Sequence, residues 1–193
     1  AQGANFLIAS LQGADLTGAQ LQFADFSSAG LQGAGLDYAN LQAAVMRDAD
    51  LEAASLQQSK LYGADMSGTR LVATDLRFAS VWMTSPPPAE TMARSDMTSL
   101  ALAPPSEDDI ASMKRAVERI EAPSTRRMVG EALAPLLDGD AATRWANSPD
   151  MKRWQAIAAD SAARSSQPGY GSELTDYLST AMCRPRWSQG TMA

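Results

Sequence analysis

Few side chains in this sequence are equipped for chemistry. Cys183 is its single cysteine, and there is no histidine. A thiol attacks as its thiolate, usually with a histidine or another cation beside it. Without histidine the commonest general base, the commonest zinc ligand and the usual pH switch are all missing. No phosphate loop, no metal-ligand spacing and no nucleophile paired with a base stands elsewhere in the chain, so no catalytic, cofactor-binding or metal residue is nominated and no cofactor is expected. A lone cysteine at a helix end is read as structural or incidental. It also excludes a disulfide within the chain, which suits a reducing compartment.

What the chain does carry is a set of large aromatics at regular positions. Phe23, Tyr38 and Phe78 stand two residues after a recurring apolar centre, and Tyr62 and Trp82 stand one residue after such a centre. The centres are Phe6, Leu11, Leu16, Leu21 and every fifth residue to Val81: eleven Leu, two Phe, two Met and one Val. Two residues before each centre stands Ala, with Ser59, Thr69 and Thr74 the exceptions. A period of five smears an apolar stripe around a helix, and no strand keeps its alternation across it. The pattern instead describes two inward residues, the small one and the centre, followed by a corner. Gly13, Gly18, Gly33, Gly63 and Gly68, two after a centre, suit such corners.

Ala14-Asp15-Leu16-Thr17-Gly18, Ala39-Asn40-Leu41-Gln42-Ala43 and Ala49-Asp50-Leu51-Glu52-Ala53 carry the resemblance: residues 4–83 resemble the pentapeptide-repeat family in sixteen tandem copies. The resemblance implies a β-solenoid, a right-handed four-sided parallel β-helix of about four coils with four repeats per turn. The residues themselves support four sides. Sorted by a period of 20, Phe6, Phe26, Met46 and Met66 share one face, two faces are all Leu, and the last is Leu21, Leu41, Leu61 and Val81. Like then stacks on like, and at about 4.8 Å per strand four coils stand about 19 Å tall. On this sorting Phe23, Tyr38, Tyr62, Phe78 and Trp82 all fall on the third and fourth faces. They are read as one interaction or docking face, covered by a protein partner or by the chain's own C-terminal helices.

The domains expected are the repeat coil over 1–83, a Pro-rich linker over 84–105 and an α-helical unit over 106–193. Ser85-Pro86-Pro87-Pro88 marks the coil's end, since prolines cannot donate to a ladder. Ser106 and Asp109 form a capping pattern ahead of Ile110, Met113, Val117 and Ile120. A second helix runs through Met128, Val129, Ala132 and Leu133 and stops near Pro135. A third starts at Ser148-Pro149-Asp150. The last follows Ser172, carries Leu174, Tyr177, Leu178, Ala181 and Met182 on one face, and ends at Pro185. About four helices bury little alone, and docking on the aromatic faces of the coil would complete their core.

Composition narrows the partners. Among 193 residues the net charge is −6, with eight acidic and four basic side chains in 4–83 and fourteen and twelve in the remainder. No charged block nominates nucleic acid or a membrane surface, and no apolar run reaches the length of a span. Gln2-Gly3 repeats the tail of Leu11-Gln12-Gly13 while Ala1 falls where the repeat wants Leu, so more coil is expected upstream in a parent chain. Leu178 to Cys183 is similar to a stretch that follows repeats in some large bacterial proteins whose N-terminal part is membrane-anchored. The expected location is the cytoplasm, free or as the soluble part of such a parent.

The function expected is a non-catalytic scaffold or protein–protein interaction module, partner unknown. The resemblance carries two alternatives. One is mimicry of DNA before a DNA-processing enzyme such as gyrase, which needs dense negative charge, since duplex DNA presents one charge per ~1.7 Å. Asp15, Asp25, Asp37, Asp48, Asp50, Glu52, Asp65 and Asp75 are diluted by Arg47, Lys60, Arg70 and Arg77. The other is a fragment of a bacterial effector ligase with a catalytic cysteine, for which the C-terminal segment is too short. Burial of each Leu centre stabilises by about 1.5–3 kcal/mol before costs, so Leu36→Asp is expected to collapse the coil. Its β circular-dichroism signal should vanish; a surviving signal would remove Leu36 from the core.

Overall fold

The computed structural model of the chain describes residues 2–181 and Cys183. The expected roles of Met182 on the last helix and Pro185 at its end lie outside these residues.

Each repeat contributes one bridged residue just before its centre, and the bridges are parallel at a spacing of 20. Asn5, Asp25, Val45, Asp65 and Ser85 form one such column; Gln20, Asn40, Lys60, Ser80 and Ala101 form the tail of another. Four columns give four sides. Within a side, the centre's N–H donates up to the next course, as from Leu31 to the Asp50 carbonyl at 2.8 Å. The residue before the centre donates down, as from Gly30 to Ala9 at 2.9 Å. At each corner the small residue's N–H turns back on the preceding centre, as from Ala14 to the Leu11 carbonyl at 3.1 Å. The second central residue of each such turn has positive φ, the requirement of a type II turn. Gly13 and Gly18 meet it without a Cβ, but Tyr38 and Phe78 adopt φ 59° and 61° at the same position.

Inside the coil, Phe6 and Phe26 stack at 4.8 Å between ring centroids, and Met46 and Met66 continue the column fully buried. The threonines that replace Ala are satisfied by the course below. Thr69 donates to the Met46 carbonyl at 2.8 Å, Thr74 to Leu51 at 2.7 Å and Thr84 to Leu61 at 2.5 Å. A buried hydroxyl so paired avoids the cost that an unpaired one would carry.

The Pro-rich linker expected over 84–105 is not a linker over most of its length. Asp75 bridges Asp96 and Ser80 bridges Ala101, so the chain makes a fifth course after a one-residue insertion. Met92 and Met97, both buried, serve as its centres, and Arg94 and Ser99 take the positive φ of its corners. Pro86 follows the bridged Ser85 and is buried at a centre position. Its missing N–H would only have met a further course, so proline costs nothing there. A short 3-10 helix, Ala89–Met92, absorbs the extra residue.

Five helices follow among the described residues: α1 (Glu107–Glu118), α2 (Pro123–Leu137), α3 (Ala141–Ala146), α4 (Pro149–Ser165) and α5 (Tyr170–Ala181). The Ser106–Asp109 capping box forms as expected, and Ser148 caps α4 through the Met151 N–H. The second helix runs past Pro135 to Leu137, since a proline in the last turn breaks little of the ladder behind it. The six-residue α3 has no stripe long enough to read from sequence.

Helix α4 closes the last course. The Met97 N–H, which has no sixth course to meet, donates to Ser161 Oγ at 2.8 Å. Trp154, fully buried, donates its indole N–H to the Thr84 carbonyl at 2.8 Å, and Arg153 donates to the Pro87 carbonyl at 3.1 Å. Ser161→Ala would leave a buried amide unpaired, a loss of about 1–3 kcal/mol. The expected outcome is a lower urea midpoint together with faster hydrogen exchange at the Met97 amide. An unchanged exchange rate would refute the capping role.

Candidate interaction surface

The five outward aromatics separate into two environments. Tyr62 and Trp82 are buried, and so are Gln22 and Gln42 beside them in the same column. Phe23 is partly buried against the core. Tyr38 and Phe78 remain open, 59% and 55% exposed. One expected face is therefore two: a covered fourth side and an open corner on the third.

The cover on the fourth side comes from α1 and α2. A Cβ at Gly63 would lie 2.6 Å from Leu136 Cδ1, so the absence of a side chain there lets α2 seat on the coil. Lys60 Nζ lies 2.5 Å from Asp109 Oδ1, and the Tyr62 hydroxyl lies 3.5 Å from Asp109 Oδ2. Burial raises the Asp109 pKa, but hydrogen bonds from Lys60 and Ser106 outweigh it and hold the carboxyl below its ordinary value. Burial, with the Asp109 carboxylate adding to it, pushes the Tyr62 phenol up. Asp109 thus caps its own helix and ties that helix to the coil. Its capping role is visible in the sequence; its partner Lys60, 49 residues away, is not.

A second tie joins α5 to the second side. Glu52, fully buried, meets Arg70 at 2.5 Å and accepts the Tyr177 hydroxyl, while Arg70 also reaches Asp50 at 3.0 Å. Desolvation works against the Arg70 charge, but Glu52 and Asp50 outweigh it and hold the guanidinium protonated. Arg94 sits over the Tyr177 ring, 4.9 Å from its centroid. No local signal marks Glu52 as buried, because its cover arrives from residue 177. The Tyr170 hydroxyl adds a bond to the Arg94 carbonyl at 3.0 Å.

The open corner carries a column of its own. Tyr38, Gln58 and Phe78 occupy equivalent corner positions on successive courses, and Gln58 Nε2 donates to the Tyr38 hydroxyl at 3.2 Å. The same side carries Asp15, Asp37, Asp75 and Asp96, with Arg77 among them. Arg77 is engaged by Asp75 at 2.7 Å and lies 3.7 Å from Asp96. Cys183 is exposed as a free thiol. Among the described residues no cluster of Asp, Glu or Cys could hold a metal ion, and no helix is long and apolar enough to cross a membrane.

The Lys60–Asp109 tie has a pH sign. A depressed carboxyl pKa contributes stability that is present above the unfolded value, about 3.9, and lost as pH falls through the folded value. Lys60→Met removes the cation from a nearly buried carboxylate, and a cost of about 1–2 kcal/mol is expected at neutral pH. In urea titrations the difference between variant and wild type should shrink below pH 4. A constant difference across that range would show that the pair does not anchor α1.

The sequence pattern of the family described as Pentapeptide repeats matches residues 2–33 and 34–72, in 8 copies. No curated protein matches the chain. Among solved structures, a pentapeptide repeat protein from Nostoc Pcc 7120 is 27% identical, with 51% of this chain and 84% of that one covered at a TM-score of 0.37. One from the Arabidopsis thaliana thylakoid lumen is 22% identical over 60% of this chain and 74% of that one, TM-score 0.26. QnrB1, a plasmid-mediated fluoroquinolone resistance protein, is 16% identical over 51% and 62%, TM-score 0.27. With the five-residue frame, the four bridge columns and the family match in agreement, the coil of this chain is built of pentapeptide repeats.

Proposed function

We propose that the chain is a non-catalytic scaffold or protein–protein interaction module, in which a right-handed four-sided coil holds an open corner at fixed spacing. The observation that carries this reading is the placement of Tyr38 and Phe78. Both expose large rings at positive φ, where a side chain is strained and where Gly18 serves the same corner. Corners such as Ser28, Ala43 and Gln58 share that φ, so it is the exposure of the two large rings that supports reading them as contacts for something else. Tyr62 and Trp82, by contrast, are already used by the chain's own helices.

A DNA-like charge rod fits less well. Of the coil's carboxylates, Asp65, Asp50, Glu52 and Asp75 are spent on Arg47, Arg70 and Arg77.

The test is affinity capture with the full chain and a Tyr38→Gly/Phe78→Gly variant from the same host extract. Glycine fits both corners, so the variant should be as stable as wild type or more so. A protein retained by wild type and lost from the variant is expected. Equal retention by both would leave a structural spacer as the better account.

A further inference from the structure

We infer that the open corner takes an extended, polyproline-type segment of a partner protein with a cation at every third residue. The inference rests on the interaction-module reading and assigns it an occupant. The corner presents rings rather than a groove, so an occupant must lie along the coil axis. Tyr38 and Phe78 are two courses apart, about 9.6 Å at the ordinary strand spacing. A polyproline II helix rises about 3.1 Å per residue and repeats every three, so successive residues on one of its faces are about 9.3 Å apart. A β-strand offers no match, because residues three apart point to opposite sides.

Charge selects what those residues are. Asp37 precedes Tyr38 in the chain, and Asp75 and Asp96 stand in adjoining courses of the same side. Asp37 keeps its carboxylate oriented by accepting from Ser55 Oγ at 2.5 Å and the Gln57 N–H at 2.8 Å. Arg77 opposes them: it is bound to Asp75, lies 3.7 Å from Asp96 and is within the field of Asp37, which still leaves these carboxylates in excess over it. An arginine over each ring gains the ring face on a side that carries more carboxylates than cations, while an acidic segment would meet repulsion. The Gln58 amide between the rings already bonds to the Tyr38 hydroxyl, which fixes that end of the column.

The probe is a synthetic peptide of Pro-Pro-Arg repeats, titrated against the purified full chain by fluorescence anisotropy. A peptide of the same composition with its arginines contiguous serves as control. Tyr38→Gly/Phe78→Gly should weaken the repeat peptide about tenfold, and the control should bind wild type more weakly than the repeat does. Unfolding midpoints of both proteins establish that the variant is folded. Equal binding of the two peptides, or equal binding of the repeat peptide to variant and wild type, would overturn the proposed occupant and reduce the effect to general charge attraction. In that case a partner lost from the variant in affinity capture would keep the module and discard only this ligand; no such loss would discard both.

Discussion

Every course of this coil depends on the next one for its backbone hydrogen bonds. The centre of a repeat donates upward and the residue before it donates downward, so no side is satisfied within a single turn. That dependence makes the interior continuous and also leaves the last course with amides and carbonyls that nothing in the repeat can meet. The fold answers with side chains instead of another course. Ser161 takes the Met97 N–H, and Trp154 serves the Thr84 carbonyl while its ring covers the end of the core. A solenoid edge left bare is a template for further pairing, and a helix laid across it removes that template.

The same helices then divide the coil's outer surface. Asp109 fastens α1 to Lys60, Gly63 makes room for Leu136, and Tyr177 reaches the buried Glu52. Two of these ties join a polar group of the coil, Lys60 or Glu52, to a helix far along the chain. The helical segment is thereby part of the coil's architecture, supplying a cap at one end and cover on the fourth and second sides. It leaves uncovered the first side and, on the third, the corner where Tyr38 and Phe78 stand.

The coil was legible because its signal is repeated. Sixteen centres at a spacing of five suit neither a helix nor a flat strand, and stacked equivalents such as Phe6 on Phe26 follow from the period of 20. The fifth course was not legible. One inserted residue shifts the frame, Glu90 and Leu100 replace the small residue before Met92 and Leu102, and Pro86 occupies a centre where proline normally signals an end. Caps at Ser106 and Ser148 were readable because a capping bond spans three residues. The short α3 and the continuation of α2 beyond Pro135 were not, since six residues show no period and a late proline is ambiguous.

By itself, then, the sequence determined the five-residue frame, the identity of the inward residues and the set of outward aromatics, and its period of 20 supported the four-sided stacking that the family resemblance implies. All of these are consequences of local periodicity, which is written in neighbouring residues. Tertiary structure alone decided that Tyr62 and Trp82 are core while Tyr38 and Phe78 face solvent, that Glu52 is buried, and that Met97 finds its partner in Ser161. These depend on contacts between segments tens of residues apart, where no period connects the partners. The aromatic set was visible from the start; its division into a docking side and an open corner required the helices to be in place.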